Sequence, residues 1–416
     1  MRKEINILFW GSPVPDNEEY RLPGFSRAGN LAQRGIAEGL FACCGKRLSV
    51  LGFQPIQAWP RYKRVWVCGR TIKFESGLSV HLFPSLNILL ARELFRGLIA
   101  FFSTIIWCLK YSKDNRTILT YNLYTPPFPF IYCAAKLTRT PIVPIIFDIG
   151  LPPGSLGRLR DWIYHHGERV AKRYIPQAQG VCVIVDKIRD IYAPCGHALR
   201  VDGGVSPDVL CRLFALDRSA QSSKIRLVMA GSVAPHNGID LLLEALKRLP
   251  QELPIVVDVA GVGSGYGKLK AEASKDARLV VHGLLDLDEL FLLYQDADVI
   301  LNLRITEGMD TSTWFPSKFL EALVCGRCVL TTNVAHIKET YGKYCVVLEE
   351  ETPEAVVSAI KKIMNMGRDK RDGIGRDARA YILSAHTWEK QARRIVMYCQ
   401  GIVNHKFNNC IGMVQI

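Results

Sequence analysis

Short apolar runs alternate with longer amphipathic stretches along most of the chain. Residues 5–13, "INILFWGSP", read as a buried strand entering a Gly/Pro loop. Residues 25–41, "FSRAGNLAQRGIAEGLF", carry apolar positions at helical spacing. "RTILTYNLYTP" (116–126) and "PIVPIIFDIG" (141–150) predict later strands of the same sheet. After about residue 200 the pattern restarts. "KIRLVMAGS", "PIVVDVAGVG", "ARLVVHG" and "DVILNLR" read as strands; "GIDLLLEALKRLP", "GYGKLKAEASKD" and "LDELFLLYQDA" read as the helices between them. "SKFLEALVCG", "RCVLTTN", "YCVVLEE" and "TPEAVVSAIKKIMNM" continue the alternation, and a last helix falls near residues 387–403. Strands that alternate with helices predict parallel, doubly wound sheets. Two such domains are expected, at 1–199 and 224–385. Residues 200–223, with the polar stretch "DRSAQSSK", are the expected linker. Residues 386–416 are expected to pack back toward the first domain. Ligands bind at the carboxyl ends of such sheets, so the expected site is a cleft between the two.

The chain has 416 residues, 49% hydrophobic and 22% charged, as in globular proteins with two real cores. Its net charge of +14 is unevenly placed. Residues 1–200 hold 27 Lys+Arg against 13 Asp+Glu, whereas residues 201–416 hold 26 of each. Such asymmetry implies a polyanionic partner: an anionic membrane surface, an acidic lipid carrier or nucleic acid. The apolar run "GLIAFFSTIIWCL" (97–109) is too short for a spanning helix of about 20 residues. Arg92, Arg96, Lys110 and Lys113 flank it. It reads either as an interfacial helix lying on an anionic bilayer or as a buried helix of an α/β domain. No zinc-finger spacing and no aromatic RNP motif is present, so nucleic acid is not expected. The first residues lead straight into a strand, so no signal peptide is expected. The thirteen cysteines follow no disulfide spacing, which predicts reduced thiols and a cytoplasmic protein.

Candidate chemistry concentrates in "FPSKFLEALVCGRCVLTTN" (315–333). Pro316 suits a first helical turn, and Gly326 suits the left-handed position that ends the helix. Lys318 and Glu321 share a face. On an arbitrary helix such a pair is a solvated surface contact. Here the helix N-terminus favours a phosphate and the lysine adds charge. A glutamate one turn on suits ribose hydroxyls. Together they fit one end of a nucleotide. "CGRC" (325–328) has redox spacing, but it spans a helix end, where a low-pKa thiolate is not favoured. "DAD" (296–298) resembles a metal motif but joins a helix to a buried strand, and no metal is expected there. "GVGSGYG" lacks the dinucleotide spacing. His165 and His166 read as a polar helix face.

The second half then resembles the GT-B glycosyltransferases, nearest to the retaining glycosyltransferase family four. The resemblance rests on an ordered set of motifs: "LRVDGGVSPDVL", "LVMAGSVAPHNGIDLLLEAL", "VDVAGVGSGYGKL", "LVVHGLLDLDELFLLYQDADVILNL" and "PSKFLEALVCGRCVLTT". It is dense over residues 199–335 and only an outline before that. It implies two Rossmann-like doubly wound α/β domains facing each other across a cleft. It also implies a metal-independent hexosyl- or glycosyltransferase with no cofactor, using a UDP- or GDP-linked sugar. The acceptor would be a glycan or a lipid-linked glycan, in polysaccharide or glycoconjugate biosynthesis, on the cytoplasmic face of a membrane.

By the same resemblance Glu321 binds the donor ribose, and Ser317 and Lys318 meet the diphosphate. Gly231 and Ser232 form the donor loop, and Gly283 and Leu284 border the base. Gly11 and Gly29 face the diphosphate and sugar, and Asp148 is an acceptor-side residue. Asp148 and Lys318 are the catalytic candidates. The family's usual donor-loop cations are replaced by Ser232 and Asn237, with His236, Lys318 and Arg304 as substitutes; of these only Lys318 has a local physical argument. The first glutamate of the family's paired acidic motif falls at Thr313, with Glu307 and Asp310 nearby. Phe147 stands where the family often has a histidine. Two rival functions stand beside this reading: a nucleotide-sugar epimerase on the same fold, and a non-catalytic subunit that binds sugar nucleotides or glycans, which the missing donor-loop cations favour.

Overall fold

A computed structural model describes residues 4–122, 127–148, 158–193, 197–215, 223–308 and 310–404. Residues 216–222 of the expected linker and Ile149 and Gly150 of "FDIG" lie outside the described residues. The chain forms two units. One comprises residues 1–204 and 388–416, the other residues 205–387. The chain therefore crosses between units twice, and a parallel bridge pairs Val205 with Thr387 beside the two crossings.

The first unit begins with β1 (Asn6–Trp10), fully buried as its apolar run requires, then α1 (Arg27–Cys44) and β2 (Leu48–Phe53). Four short strands follow, β3 (Trp66–Val67), β4 (Arg70–Lys73), β5 (Ser79–Phe83) and β6 (Ser85–Leu86), with β3 paired antiparallel to β6 and β4 to β5. Then come α2 (Leu89–Lys110), β7 (Arg116–Tyr121), α3 (Pro127–Leu137) and β8 (Ile142–Ile146). Helix α4 (Arg158–Tyr174), β9 (Val181–Val183), α5 (Asp186–Tyr192) and β10 (Ala198–Arg200) complete the N-terminal portion. The eight-stranded sheet runs β10-β9-β8-β7-β1-β2-β5-β4, and only β4 is antiparallel to its neighbour. Its order reverses between β1 and β7.

The run at 97–109 belongs to the longer α2. Gly97, Ala100, Thr104, Trp107 and Cys108 face the core. Leu98, Phe102, Ile106 and Leu109 are exposed. The segment is thus neither wholly buried nor detached from the core.

The second unit opens with α6 (Pro207–Ala215), so part of the stretch expected as linker is a helix. There follow β11 (Ile225–Ala230), α7 (Ile239–Arg248), β12 (Ile255–Ala260), α8 (Tyr266–Ala273), β13 (Leu279–Gly283) and α9 (Leu287–Asp296). Next come β14 (Val299–Asn302), α10 (Ser317–Val324), β15 (Cys328–Thr331), α11 (Ile337–Tyr341), β16 (Val346–Val347), α12 (Pro353–Asn365) and α13 (Arg368–Ala385). All pairings are parallel, in the order β13-β12-β11-β14-β15-β16. This is the doubly wound order with its reversal between β11 and β14. Leu227, Val257, Val299 and Leu330 from successive strands meet Leu242, Leu246 and Ile360 of the covering helices in one apolar core. The charged sequence of α13 gave no apolar stripe to read. It is held by close backbone approach: a Cβ on Gly375 would overlap the Gly326 carbonyl.

The last helix, α14 (Trp388–Val403), belongs to the first unit and lies against α1. Two glycines of α1 permit this approach. A Cβ on Gly35 would overlap the Trp388 indole, and one on Gly39 would strike the Trp388 carbonyl and the Ala392 methyl. Tyr398 donates from its hydroxyl to the His197 carbonyl at 2.6 Å. Gly35→Ala is expected to destabilise the first unit by about 1–3 kcal/mol through overpacking. Calorimetry should show its transition lowered by roughly 2–4 °C per kcal/mol. An unshifted transition would mean that α14 is not packed on α1 in solution.

Candidate functional site

At the reversal point of the second sheet a cavity of about 260 Å³ opens beside the carboxyl ends of β11 and β14. The ends of β11, β12 and β13 there are glycines, all in left-handed backbone: Gly231 at φ +145°, Gly261 at +137° and Gly283 at +71°. Side chains rarely adopt these angles. The Gly231 amide donates to the Ala260 carbonyl at 2.9 Å, and the Gly261 amide to the Gly283 carbonyl at 2.5 Å. A Cβ on Gly261 would overlap the Gly231 carbonyl oxygen. The strand ends are therefore bare backbone.

Helix α10 begins at Ser317. Pro316, expected inside the first turn, instead precedes it with extended backbone and supplies no side-chain cap. The helix's first amides lack intrahelical acceptors, as at any helix start. Lys318 projects into the cavity lining, and a Cβ on Gly231 would lie 3.1 Å from its Nζ. The ammonium thus stands over Gly231. Gly326 ends the helix at φ +74°.

The second cation is Arg304, for which the sequence offered no local argument. It follows the carboxyl end of β14. Its amide donates to Thr332 Oγ1 at 3.0 Å, its guanidinium donates to Asn237 Oδ1, and its plane lies over the Trp314 ring. Asn237 Nδ2 donates in turn to the Ser232 carbonyl at 2.6 Å. Burial lowers the Arg304 pKa below its ordinary value. Its partners are neutral: among the described residues no carboxylate pairs with it. No Asp or Glu is among the described residues that line the cavity, where His236 is the third basic group. A desolvated cation held by neutral groups favours an incoming anion.

The cavity lining brings together Gly231, Ser232 and Lys318 of the expected site. The other candidates whose side chains are described lie outside that lining. Glu321 is one turn further along α10; its charge, after burial, helps to raise the pKa values of Tyr294 and Cys325. Leu284 is exposed just past Gly283. Asp310 accepts from the Ser312 amide at 3.2 Å, and Thr313 Oγ1 donates to the Asp310 carbonyl at 2.8 Å. Both therefore shape the loop before α10. Glu351, which the sequence did not single out, accepts from the Thr306 amide at 2.6 Å and fixes the start of that loop.

In the first unit the Gly11 amide donates to the Leu51 carbonyl at 3.0 Å, and a Cβ on Gly52 would overlap the Gly11 carbonyl. The following loop is fastened to α1: Ser12 donates to Gln33 and Val14 to Asn30, at 2.7 and 2.9 Å. The Gly29 amide donates to the capping Ser26 hydroxyl at 3.2 Å. Asp148 is exposed beyond β8, and its carboxylate accepts from Asn122 Nδ2 at 2.8 Å. Asp148 and Lys318 belong to different units.

The lookalike motifs sit elsewhere. Asp298 accepts from the Arg226 amide at 2.9 Å, at the amino ends of β11 and β14, the opposite edge from the cavity. Among the described residues no group of three or more His, Cys, Asp or Glu could hold a metal. Cys325 and Cys328 lie at the far end of α10. Both are buried, and burial pushes the Cys328 thiol up to about 12 and Cys325 higher still. Raised values keep both neutral near pH 8, so neither is a nucleophile there. Native-state alkylation with iodoacetamide at pH 8, read by mass spectrometry, is expected to label exposed Cys68, Cys133 and Cys211 and to spare Cys325 and Cys328. Fast labelling of the latter pair would restore a redox reading of "CGRC".

Residues 224–366 match the family Glycosyl transferases group 1. The chain is 21% identical over 188 residues to the uncharacterized glycosyltransferase MJ1069 of Methanocaldococcus jannaschii, covering 44% of this chain and 46% of that protein. It is 26% identical over 182 residues to the lipopolysaccharide 1,2-N-acetylglucosaminetransferase of Salmonella typhimurium, covering 40% and 46%. The matches thus span about half the length of these relatives. Sucrose-phosphate synthase from Thermosynechococcus elongatus superposes with a TM-score of 0.63 at 14% identity, over 96% of this chain and 99% of that one. Anabaena Alr3699/HepE in complex with UDP gives 0.60 at 14%, over 95% and 99%. The chain has the GT-B fold of two Rossmann-like domains, and residues 224–366 of its second unit are similar to the Glycosyl transferases group 1 family.

Proposed function

We propose that this protein is a glycosyltransferase that moves a sugar from a nucleoside diphosphate sugar to a glycan or lipid-linked acceptor, in the cytoplasm. The observation that carries this reading is the cavity at the sheet reversal, with two cations, a glycine floor and no carboxylate among its described lining. Lys318 and Arg304 are the groups for the donor diphosphate. In the reaction charge develops on the leaving diphosphate. Fixed cations at that point stabilise it without rearranging, the largest kind of catalytic effect. They also do the work that a metal would do elsewhere, so the reaction is proposed to be metal-independent.

Glu321 and the backbone at Gly283 and Leu284 are assigned to the ribose and base, and Ser317 to the phosphates. The UDP complex of the Anabaena protein favours UDP over GDP as the carrier. The Salmonella relative, a lipopolysaccharide sugar transferase, favours a surface-glycan acceptor. Gly11, Gly29 and Asp148 are assigned to the sugar and acceptor. Retention of configuration is proposed from the family resemblance. Arg304 weakens the binding-subunit alternative, because it supplies a cation beside Asn237, where the donor loop lacks one.

Two sets of measurements test the reading. Lys318→Gln and Arg304→Gln should each weaken a nucleoside diphosphate about ten- to a hundredfold, since a hydrogen bond to a charged group contributes roughly 1.5–3 kcal/mol. The corresponding nucleoside should bind almost unchanged. Equal losses for both ligands, or none, would remove these residues from the phosphate site. Glu321→Ala should weaken nucleoside and diphosphate alike, by a similar factor. Separately, a panel of nucleotide sugars without acceptor should raise thermal stability yet yield no isomerised sugar. An isomerised product would establish an epimerase instead.

A further inference from the structure

The nucleotide chemistry leaves unused one surface of the first unit. Helix α2 turns a core face to α3, where a Cβ on Gly97 would overlap the Phe130 ring. Its opposite face is a row of exposed apolar side chains: Leu90, Leu94, Leu98, Phe102, Ile106 and Leu109, between 43% and 78% exposed. Steps of four and three residues place them along one side of the helix. From Leu90 to Leu109 that row is roughly 29 Å long. An apolar surface of that extent is rare on a monomer without a partner.

The segment before the helix extends the row. Trp59, Val65, Trp66 and Ile88 are exposed there. Trp66 is set edge-on to Phe95 of α2, with ring centroids 5.9 Å apart. Buried Asn87 fastens this segment: its Nδ2 donates to the carbonyls of Gln57 and Arg64 at 3.2 and 3.0 Å, its amide to Val65, and its carbonyl accepts from Trp59. The two tryptophans therefore stand on ordered backbone at the start of α2.

The charge around the row has one sign. Residues 54–113 hold nine Lys+Arg against two acids, Glu75 and Glu93. Glu93 is engaged by Arg92, with Nε at 2.8 Å. Arg61, Lys63 and Arg64 are exposed between the tryptophans, and no ion pair is formed by them among the described residues. No helix among the described residues is long and apolar enough to cross a membrane.

We propose that this face docks on an anionic lipid bilayer, with α2 lying in the plane of the interface. The leucine, isoleucine and phenylalanine row enters the acyl boundary. Trp59 and Trp66 sit at headgroup depth, where amphipathic rings partition. Arg61, Lys63, Arg64 and Lys110 meet the lipid phosphates. A second copy of the chain is the weaker occupant. Pairing this face with itself would bring like-charged flanks together without a complementary acid, whereas anionic lipid supplies the complement along its whole length. The surface belongs to the first unit alone and does not depend on the assigned donor chemistry.

Vesicle sedimentation tests it with the whole protein. Phosphatidylcholine vesicles containing about a third phosphatidylglycerol should bind the protein at low salt, and pure phosphatidylcholine should bind it more than about tenfold less. Leu94→Glu with Phe102→Glu should reduce binding to the anionic vesicles by more than about tenfold, with an unchanged melting transition because both positions are exposed. Arg61→Gln, Lys63→Gln and Arg64→Gln together should weaken binding to the anionic vesicles and leave the weak binding to neutral ones unaltered. Sedimentation equilibrium supplies the counter-test. If the wild type ignores anionic vesicles, or if the Leu94 and Phe102 variant instead converts a dimer to a monomer, the lipid assignment falls.

Discussion

Each unit depends on a close approach between the loop leaving its first strand and a glycine at the end of its second. The Gly11 carbonyl occupies the space where a Cβ on Gly52 would be, and the Gly231 carbonyl does the same to Gly261. The hydrogen bonds correspond too: Gly11 donates to Leu51 and Gly231 to Ala260, in each case the residue before the partner glycine. The loop is thereby pressed flat against the sheet edge, which leaves bare backbone at the glycine end of the strand. Doubly wound sheets place ligands at the point where the strand order reverses. In the second unit the bare floor is what lets Lys318 reach over Gly231.

The electrostatics of the second unit follow from the same geometry. A loop pressed onto the sheet turns Ser232 and Asn237 toward the end of β14, and Asn237 meets Arg304 there. The guanidinium loses water without gaining a carboxylate, and that is unfavourable in an empty protein. In the proposed reading that residual charge attracts a phosphate. Lys318 approaches the same cavity from α10. In the proposed reading, two cations from different elements take the place of donor-loop cations, and the polar residues Ser232 and Asn237 serve as scaffolding for one of them.

Much of this was legible in the sequence. Alternating strand and helix patterns located nearly all of the second unit, because fully buried parallel strands read as continuous apolar runs. Lys318 was legible from its place at a helix start followed by a glycine stop. Arg304 was not, because an arginine after a strand carries no signal until the fold shows that its strand borders the reversal. Helix α13 escaped because close glycine packing, rather than an apolar stripe, holds it. The run at 97–109 could be read as core or as interface because α2 is apolar on both faces, and only tertiary packing tells which side is covered. Asp310 and Thr313 are marked by resemblance alone, and the Asp310–Ser312 and Thr313–Asp310 hydrogen bonds lie within their own loop.

The central claim is that a diphosphate binds over Gly231 between Lys318 and Arg304. The most direct measurement is a crystal structure of the protein with a nucleoside diphosphate. The account predicts phosphate oxygens at hydrogen-bonding distance, about 2.7–3.2 Å, from Lys318 Nζ and the Arg304 guanidinium. A diphosphate bound elsewhere, with both cations left in their present contacts, would contradict it.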